Sequence, residues 1–165
     1  MRFLSKSLLI TLLLILQTTN GISSLKADAV LVIKSERRLY LLFKGVPFAS
    51  FPVTFGANPT GHKQEQGDER TPEGHYRLDY KNPNSKFYKS IHISYPNAKD
   101  RASARGRGVD PGGDIMIHGQ KNGWEWASPL VQFFPWTDGC VALSNRDMDR
   151  VWIAVDPGTP IEIRP

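Results

Sequence analysis

Thr137-Asp138-Gly139-Cys140-Val141-Ala142-Leu143-Ser144-Asn145 is the stretch that decides how this chain is read. It carries the one cysteine among 165 residues, and Gly139 before it permits a tight turn that presents the sulfur. Ser144 with Asp147 three positions on has the acidic form of a capping box. Met148, Val151, Trp152 and Val155 then recur at helical spacing, so one capped helix follows the cysteine and buries that stripe in the core. Asp156-Pro157-Gly158 ends it. Cys140 sits just before this helix, where the positive end of the dipole and unpaired amides favour a thiolate.

The thiol matters because of where the chain is expected to go. Arg2 and Lys6 form a basic start, residues 8–16 are aliphatic apart from Thr11, and no acid precedes Asp28. An apolar run of about nine residues is too short to cross a bilayer and fits the core of a signal peptide, assigned here to residues 1–24. Ala27-Asp28-Ala29 has a small-x-small form but abuts the first strand, so a cut between residues 21 and 24 is preferred. With no cysteine near this segment, a lipoprotein anchor is not expected. Residues 25–165 remain as one domain, expected in the periplasm or cell envelope. Exported chains usually spend cysteines in pairs as disulfides, and a lone thiol there implies that the thiol is used. The alternative is that Cys140 is a small buried apolar residue.

Charge narrows the function classes. Arg2 and Lys6 supply two of the formal +5, leaving a mildly basic domain. That suits an anionic wall polymer and falls short of a case for nucleic acid, for which no motif is present. One cysteine and four scattered histidines give no metal site, and no cofactor is expected.

The rest of the chain reads as mainly β, a sandwich or barrel-like domain. Short β-branched and aromatic runs fall at residues 30–33, 39–43, 51–55, 75–80, 91–94, 115–118 and 161–163, punctuated by Gly, Pro and Asn. Two long loops, 57–70 and 95–113, break the rhythm and read as functional lids or flexible surface. In Asp114-Ile115-Met116-Ile117-His118 the alternation puts Ile115 and Ile117 on one face and His118 with Met116 on the other. Gly119 allows close backbone approach, and its carbonyl can orient the imidazole. An imidazole beside a thiol is the minimal set for thiolate chemistry, although His118 could equally be a satisfied core histidine.

A strand ending in His118-Gly119, the Thr137-x-Gly139-Cys140 segment and the upstream Arg70-Thr71-Pro72-Glu73-Gly74-His75-Tyr76 together resemble the L,D-transpeptidase catalytic domain, the YkuD-type fold. The resemblance runs across the mature chain. It implies acyl transfer on peptidoglycan stem peptides, with Cys140 as nucleophile and His118 as general base, then general acid. It implies that Gly119 supplies the orienting carbonyl and that Gly139 with Cys140 contributes oxyanion donors. It also implies a thioester at the L-centre of the third stem residue, with loss of the terminal D-alanine, resolved by a stem amine, an envelope lipoprotein or water. Substrate contacts are expected from Thr71, Gly74, Tyr76, Trp136, Asp138 and Arg146, with residues 71–76 an edge strand under the peptide.

Two positions depart from the family pattern. Asp138 stands where many relatives have histidine or a small residue, and Ala142 where many have arginine. A guanidinium there would clamp a carboxylate, a role open to Arg146 or to Lys99, Arg101, Arg105 and Arg107. Trp124, Trp126, Phe133, Phe134 and Trp136 either wall the substrate groove or pin a loop. Other readings are an L,D-carboxypeptidase, protein attachment to the wall, a silent wall-binding module, or a sortase-like enzyme. The last is disfavoured by only 22 positions between His118 and Cys140.

Overall fold

Apolar residues at alternate positions build most of this architecture, because side chains on a strand point to opposite faces in turn. The computed structural model describes residues 25–165 apart from 125 and 127, so the segment assigned to a signal peptide lies outside the described residues. β1 (Ala29–Ile33) buries Val30 and Val32, and β2 (Arg38–Phe43) buries Leu39 and Leu41. β3 (Val46–Pro52) adds Phe51, β4 (Gly74–Ser85) adds Tyr76 and Leu78, and β5 (Tyr88–Ile93) adds Ile91 and Ile93. β6 (Met116–His118) contributes Ile117, β7 (Val141–Ala142) Val141, and β8 (Thr159–Arg164) Ile161 and Ile163.

The strands form one eight-stranded mixed sheet in the order β3-β2-β1-β8-β4-β5-β6-β7. β1 pairs parallel with β8, and β6 pairs parallel with β7; the other neighbours are antiparallel. The two outer strands meet. Thr54, just beyond β3, exchanges backbone hydrogen bonds of 3.0 and 2.9 Å with Ala142 of β7, and Gly56 bridges Thr137. The sheet therefore curls toward closure, the barrel-like solution to exposed strand edges.

The helix after Cys140 forms as its sequence dictates. It runs Asn145–Ala154, and the Ser144 hydroxyl oxygen accepts from the Asp147 N–H at 3.1 Å. Met148, Val151 and Val155 are fully buried, with Trp152 packed at the margin of the core.

Three expectations need correcting. Residues 95–113 are not a structureless loop: Ala98–Arg107 is a helix with an Asn97 N-cap, a capping box through Asp100, and Gly108 as its left-handed C-cap. The caps were in the sequence, but only Ala104 is a buried apolar residue there, so no stripe announced the helix. In chain order this helix is α1, Ser128–Val131 is α2 and Asn145–Ala154 is α3. β3 also starts earlier than residue 51, because Lys44 and Gly45 take positive φ (51° and 76°) and make a two-residue hairpin turn after β2. Finally, β4 as a whole is not an edge strand, since it lies between β8 and β5, although its residues 74–77 pair with β8 alone.

The seam has no spare room. A Cβ on Gly56 would overlap the Glu69 carbonyl oxygen and lie 2.5 Å from that of Thr137. Gly56→Ala should therefore cost about 1–3 kcal/mol, the usual range for overpacking, read by chemical unfolding. An unchanged midpoint would show that the seam is loose.

Candidate active site

Strand register brings Cys140 and His118 together. β6 and β7 pair in parallel with Ile117 opposite Val141 and His118 opposite Ala142. Extending that register by one residue sets Cys140 opposite Met116, and the Met116 N–H reaches the Cys140 Sγ at 3.4 Å. Residues two apart share a face, so Met116, His118, Cys140 and Ala142 lie on the same side of the ladder. Leu143 N–H locks the pair by donating to the His118 carbonyl at 2.9 Å. Both side chains line one cavity of about 1170 Å³.

The imidazole tautomer is set by its partner. His118 Nδ1 lies 2.6 Å from the Gly119 carbonyl oxygen, which can only accept, so Nδ1 carries the proton and Nε2 keeps its lone pair. Phe87 and Trp136 stand 4.7 and 5.4 Å from the ring and cover it. Burial drives its pKa down to about 4, against a smaller upward effect of the Gly119 bond. His118 is therefore neutral and basic at neutral pH.

Cys140 is a thiol in the resting protein, contrary to the thiolate expected from its place before α3. Burial pushes its pKa up to about 11, with Asp138 and Asp114 adding to the rise and the Met116 N–H and Lys63 opposing it. The sulfur lies 3.7 Å from the Asp114 carbonyl, an acceptor for the S–H. Asp114 itself holds a left-handed φ of 54°, a costly conformation for a residue with a side chain and one found repeatedly at functional sites.

Two glycines make this closeness possible. Gly139 has φ 112°, and a Cβ there would strike the Arg70 carbonyl oxygen, so the 70–71 backbone backs the turn before Cys140. A Cβ on Gly119 would lie 2.6 Å from Asn145 Oδ1 and 2.9 Å from Tyr88 Cβ. That Asn145 oxygen accepts from the Gln120 N–H at 2.8 Å, tying the start of α3 to the chain after His118.

The remaining candidates divide. Trp136 and Asp138 line the cavity, and the buried Trp136 Nε1–H has no partner among the described residues. Thr71 and Tyr76 are buried away from it; the Tyr76 hydroxyl donates to Asp100 Oδ2 at 3.0 Å. Gly74 pairs with Ile163 of β8, and Arg146 is exposed on the first turn of α3; neither lines the cavity. Ala142 is fully buried. Trp124, Trp126, Phe133 and Phe134 are exposed and outside the cavity wall, so Trp136 is the aromatic of that group that faces the site. The other histidines are elsewhere: His62 is between Glu73 and Asp100, His75 is exposed, and His92 pairs with Asp79.

Sequence reasoning missed Lys63. It is 3 % exposed yet borders the cavity. Its polar, Gly-rich surroundings at 57–70 read as surface, and nothing in the pattern announced that this cation would be buried.

The YkuD family model, described as the L,D-transpeptidase catalytic domain, matches residues 27–163. YafK of Escherichia coli strain K12, itself named only provisionally as an L,D-transpeptidase, is 33% identical over 127 residues, covering 73% of this chain and 44% of YafK. The helical cell shape determining protein Pgp2 from Campylobacter jejuni superposes with a TM-score of 0.62 at 27% identity, over 82% of this chain and 46% of Pgp2. An L,D-transpeptidase from Mycobacterium tuberculosis H37Rv shares the fold, with a TM-score of 0.54 at 17% identity over 83% of this chain and 57% of its own. The chain thus spans less than half the length of YafK and Pgp2.

A thiol with a pKa near 11 is ionised to about one part in ten thousand at pH 7. Alkylation of Cys140 by iodoacetamide should still be rising steeply at about pH 10, where an ordinary thiol, half-ionised near pH 8.5, has levelled off. A plateau reached by about pH 9.5–10 would contradict a neutral resting thiol.

Proposed function

Because the chain belongs to the L,D-transpeptidase catalytic-domain family, we propose that it transfers acyl groups of peptidoglycan stem peptides through a thioester on Cys140. The observation that carries this reading is the shared cavity in which an unprotonated His118 Nε2 and the Cys140 thiol stand on one face of the β6–β7 ladder. As Sγ attacks the carbonyl carbon of the third stem residue's L-centre, Nε2 takes the thiol proton. The new C–S bond drives charge onto the carbonyl oxygen, toward the Gly139 and Cys140 amides. Collapse breaks the C–N bond to the terminal D-alanine, and His118 returns the proton to that leaving amine. An incoming amine then attacks the thioester, gives its proton to His118, and frees the thiol.

The neutral resting pair suits this sequence. A base with a low pKa is not lost to protonation in mildly acidic surroundings, and a protonated thiol resists oxidation where it is exposed to oxidants. The signal peptide expected at residues 1–24 would take the chain to the envelope, and no helix of the described residues is long and apolar enough to cross a membrane. Cross-linking, protein attachment and trimming of stems differ only in the acceptor, and the amine acceptor is preferred here because a thioester stores the acyl group for aminolysis. The similarity to Pgp2, a helical cell shape determining protein, supports a place in wall remodelling.

Variants separate the roles. Cys140→Ala should abolish release of D-alanine and formation of cross-linked muropeptides. His118→Gln should slow acylation by about 10²–10⁴ and move its pH dependence to more alkaline values, where hydroxide replaces the base. His92→Gln and His75→Gln should do neither. A shifted profile in His92→Gln with an unchanged one in His118→Gln would move the base to His92.

A further inference from the structure

We propose that Lys63 is the anion-holding residue of this cavity, taking a carboxylate of the donor stem peptide beside Cys140. The inference rests on the stem-peptide reading and adds a recognition residue to it. Ala142 supplies no charge, Arg146 does not face the cavity, and Arg107 turns its guanidinium to the Gln64 carbonyl at 2.6 Å. Lys63 does border it, and its side chain is among the most deeply buried charges in the protein.

Its surroundings hold it still. Nζ donates to Asp68 Oδ1 at 2.8 Å and to the Glu65 carbonyl at 3.0 Å. An ammonium has three donors, and among the described residues only these two acceptors meet it, leaving one N–H for a ligand. Asp68 does not cancel the charge outright. Its carboxylate is shared among the N–H groups of Gln64, Glu65 and Arg70 at 2.7, 3.3 and 3.1 Å. Those bonds and Lys63 outweigh burial and keep its carboxyl below the usual range. The loop is pinned in turn by Gln66 N–H on the Asp110 carbonyl at 2.8 Å.

Position fits the role. Lys63 and Cys140 line the same cavity, and the Lys63 charge favours the ionised form of the sulfur, so an anion held at Lys63 shares the cavity with the reacting thiol. Asp110, Asp114 and Asp138 also line the cavity, but all three are exposed and water-screened, whereas Lys63 is desolvated and interacts more strongly. Lys86 and Lys121, on the cavity wall, are the competing cations. The carboxylate could belong to the terminal D-alanine or to the side chain of the third residue, which have the same chemistry.

Calorimetry on Cys140→Ala protein with three peptides tests the site without turnover. The probes are L-Ala-D-Glu-diaminopimelate-D-Ala, its C-terminal amide, and the analogue with lysine in place of diaminopimelate. A charged hydrogen bond predicts that one of the two changes weakens binding by about 10–100-fold. Adding Lys63→Met should weaken the parent peptide equally and erase that discrimination, while Lys63→Arg keeps it. Should the Met variant fail to fold, Lys63→Gln retains a donor for Asp68, removes the charge, and should give the same loss. Discrimination that survives loss of the Lys63 charge, or that vanishes in Lys86→Ala/Lys121→Ala instead, overturns the proposal. So does equal binding, or no binding, of all three peptides. Turnover by the wild-type protein is scored separately, so discrimination without turnover would fault the proposed reaction and leave the anion site standing.

Discussion

The parallel pairing of β6 with β7 is the constraint from which the site follows. Only two residue pairs define that ladder, Ile117 with Val141 and His118 with Ala142. A slip of one residue would turn Cys140 to the opposite face from His118 and separate the pair. Short ladders have little strength of their own, and the protein reinforces this one from outside. Thr54 grips Ala142 from the far edge of the sheet, Leu143 binds the His118 carbonyl, and Asn145 holds Gln120. The near-closure of the sheet is thus tied to the candidate site: the strand that seals it is the strand that follows Cys140.

Electrostatics and space work together at that ladder. Packing Phe87 and Trp136 over His118 strips water from the ring and lowers its basicity, while enclosing the sulfur raises the thiol. The two effects act in the same direction, toward a pair that is neutral at rest. In the proposed reaction the proton moves only when a substrate carbonyl gives the developing charge somewhere to go. Trp136 Nε1–H, without a partner among the described residues, and the third N–H of Lys63 are donors already desolvated beside the site.

Much of this was legible in the sequence, and the reasons differ by element. The α3 stripe and the Ser144 cap are local patterns, and local patterns survive folding. The alternation in 115–118 placed His118 on the right face, and Gly119 and Gly139 announced close backbone approach. What could not be read depends on distant partners. The thiol's protonation follows from burial, not from the helix beyond it. Residues 71–76 read as a substrate strand, whereas Thr71 and Tyr76 turn inward and the Arg70 carbonyl supports Gly139 from behind. α1 has good caps but little apolar signal, and Lys63 is buried only because its loop folds back on Asp68 and docks at Asp110.

The central claim is that Cys140 itself becomes acylated by a stem peptide. Rapid acid quench of the wild-type protein with L-Ala-D-Glu-diaminopimelate-D-Ala, followed by peptide mapping in a mass spectrometer, tests it most directly. The account predicts one adduct, on the peptide containing Cys140, with the mass of the tripeptide acyl group, lost on treatment with hydroxylamine as a thioester should be. D-alanine release with no adduct on Cys140, or the same release from Cys140→Ala protein, would contradict it.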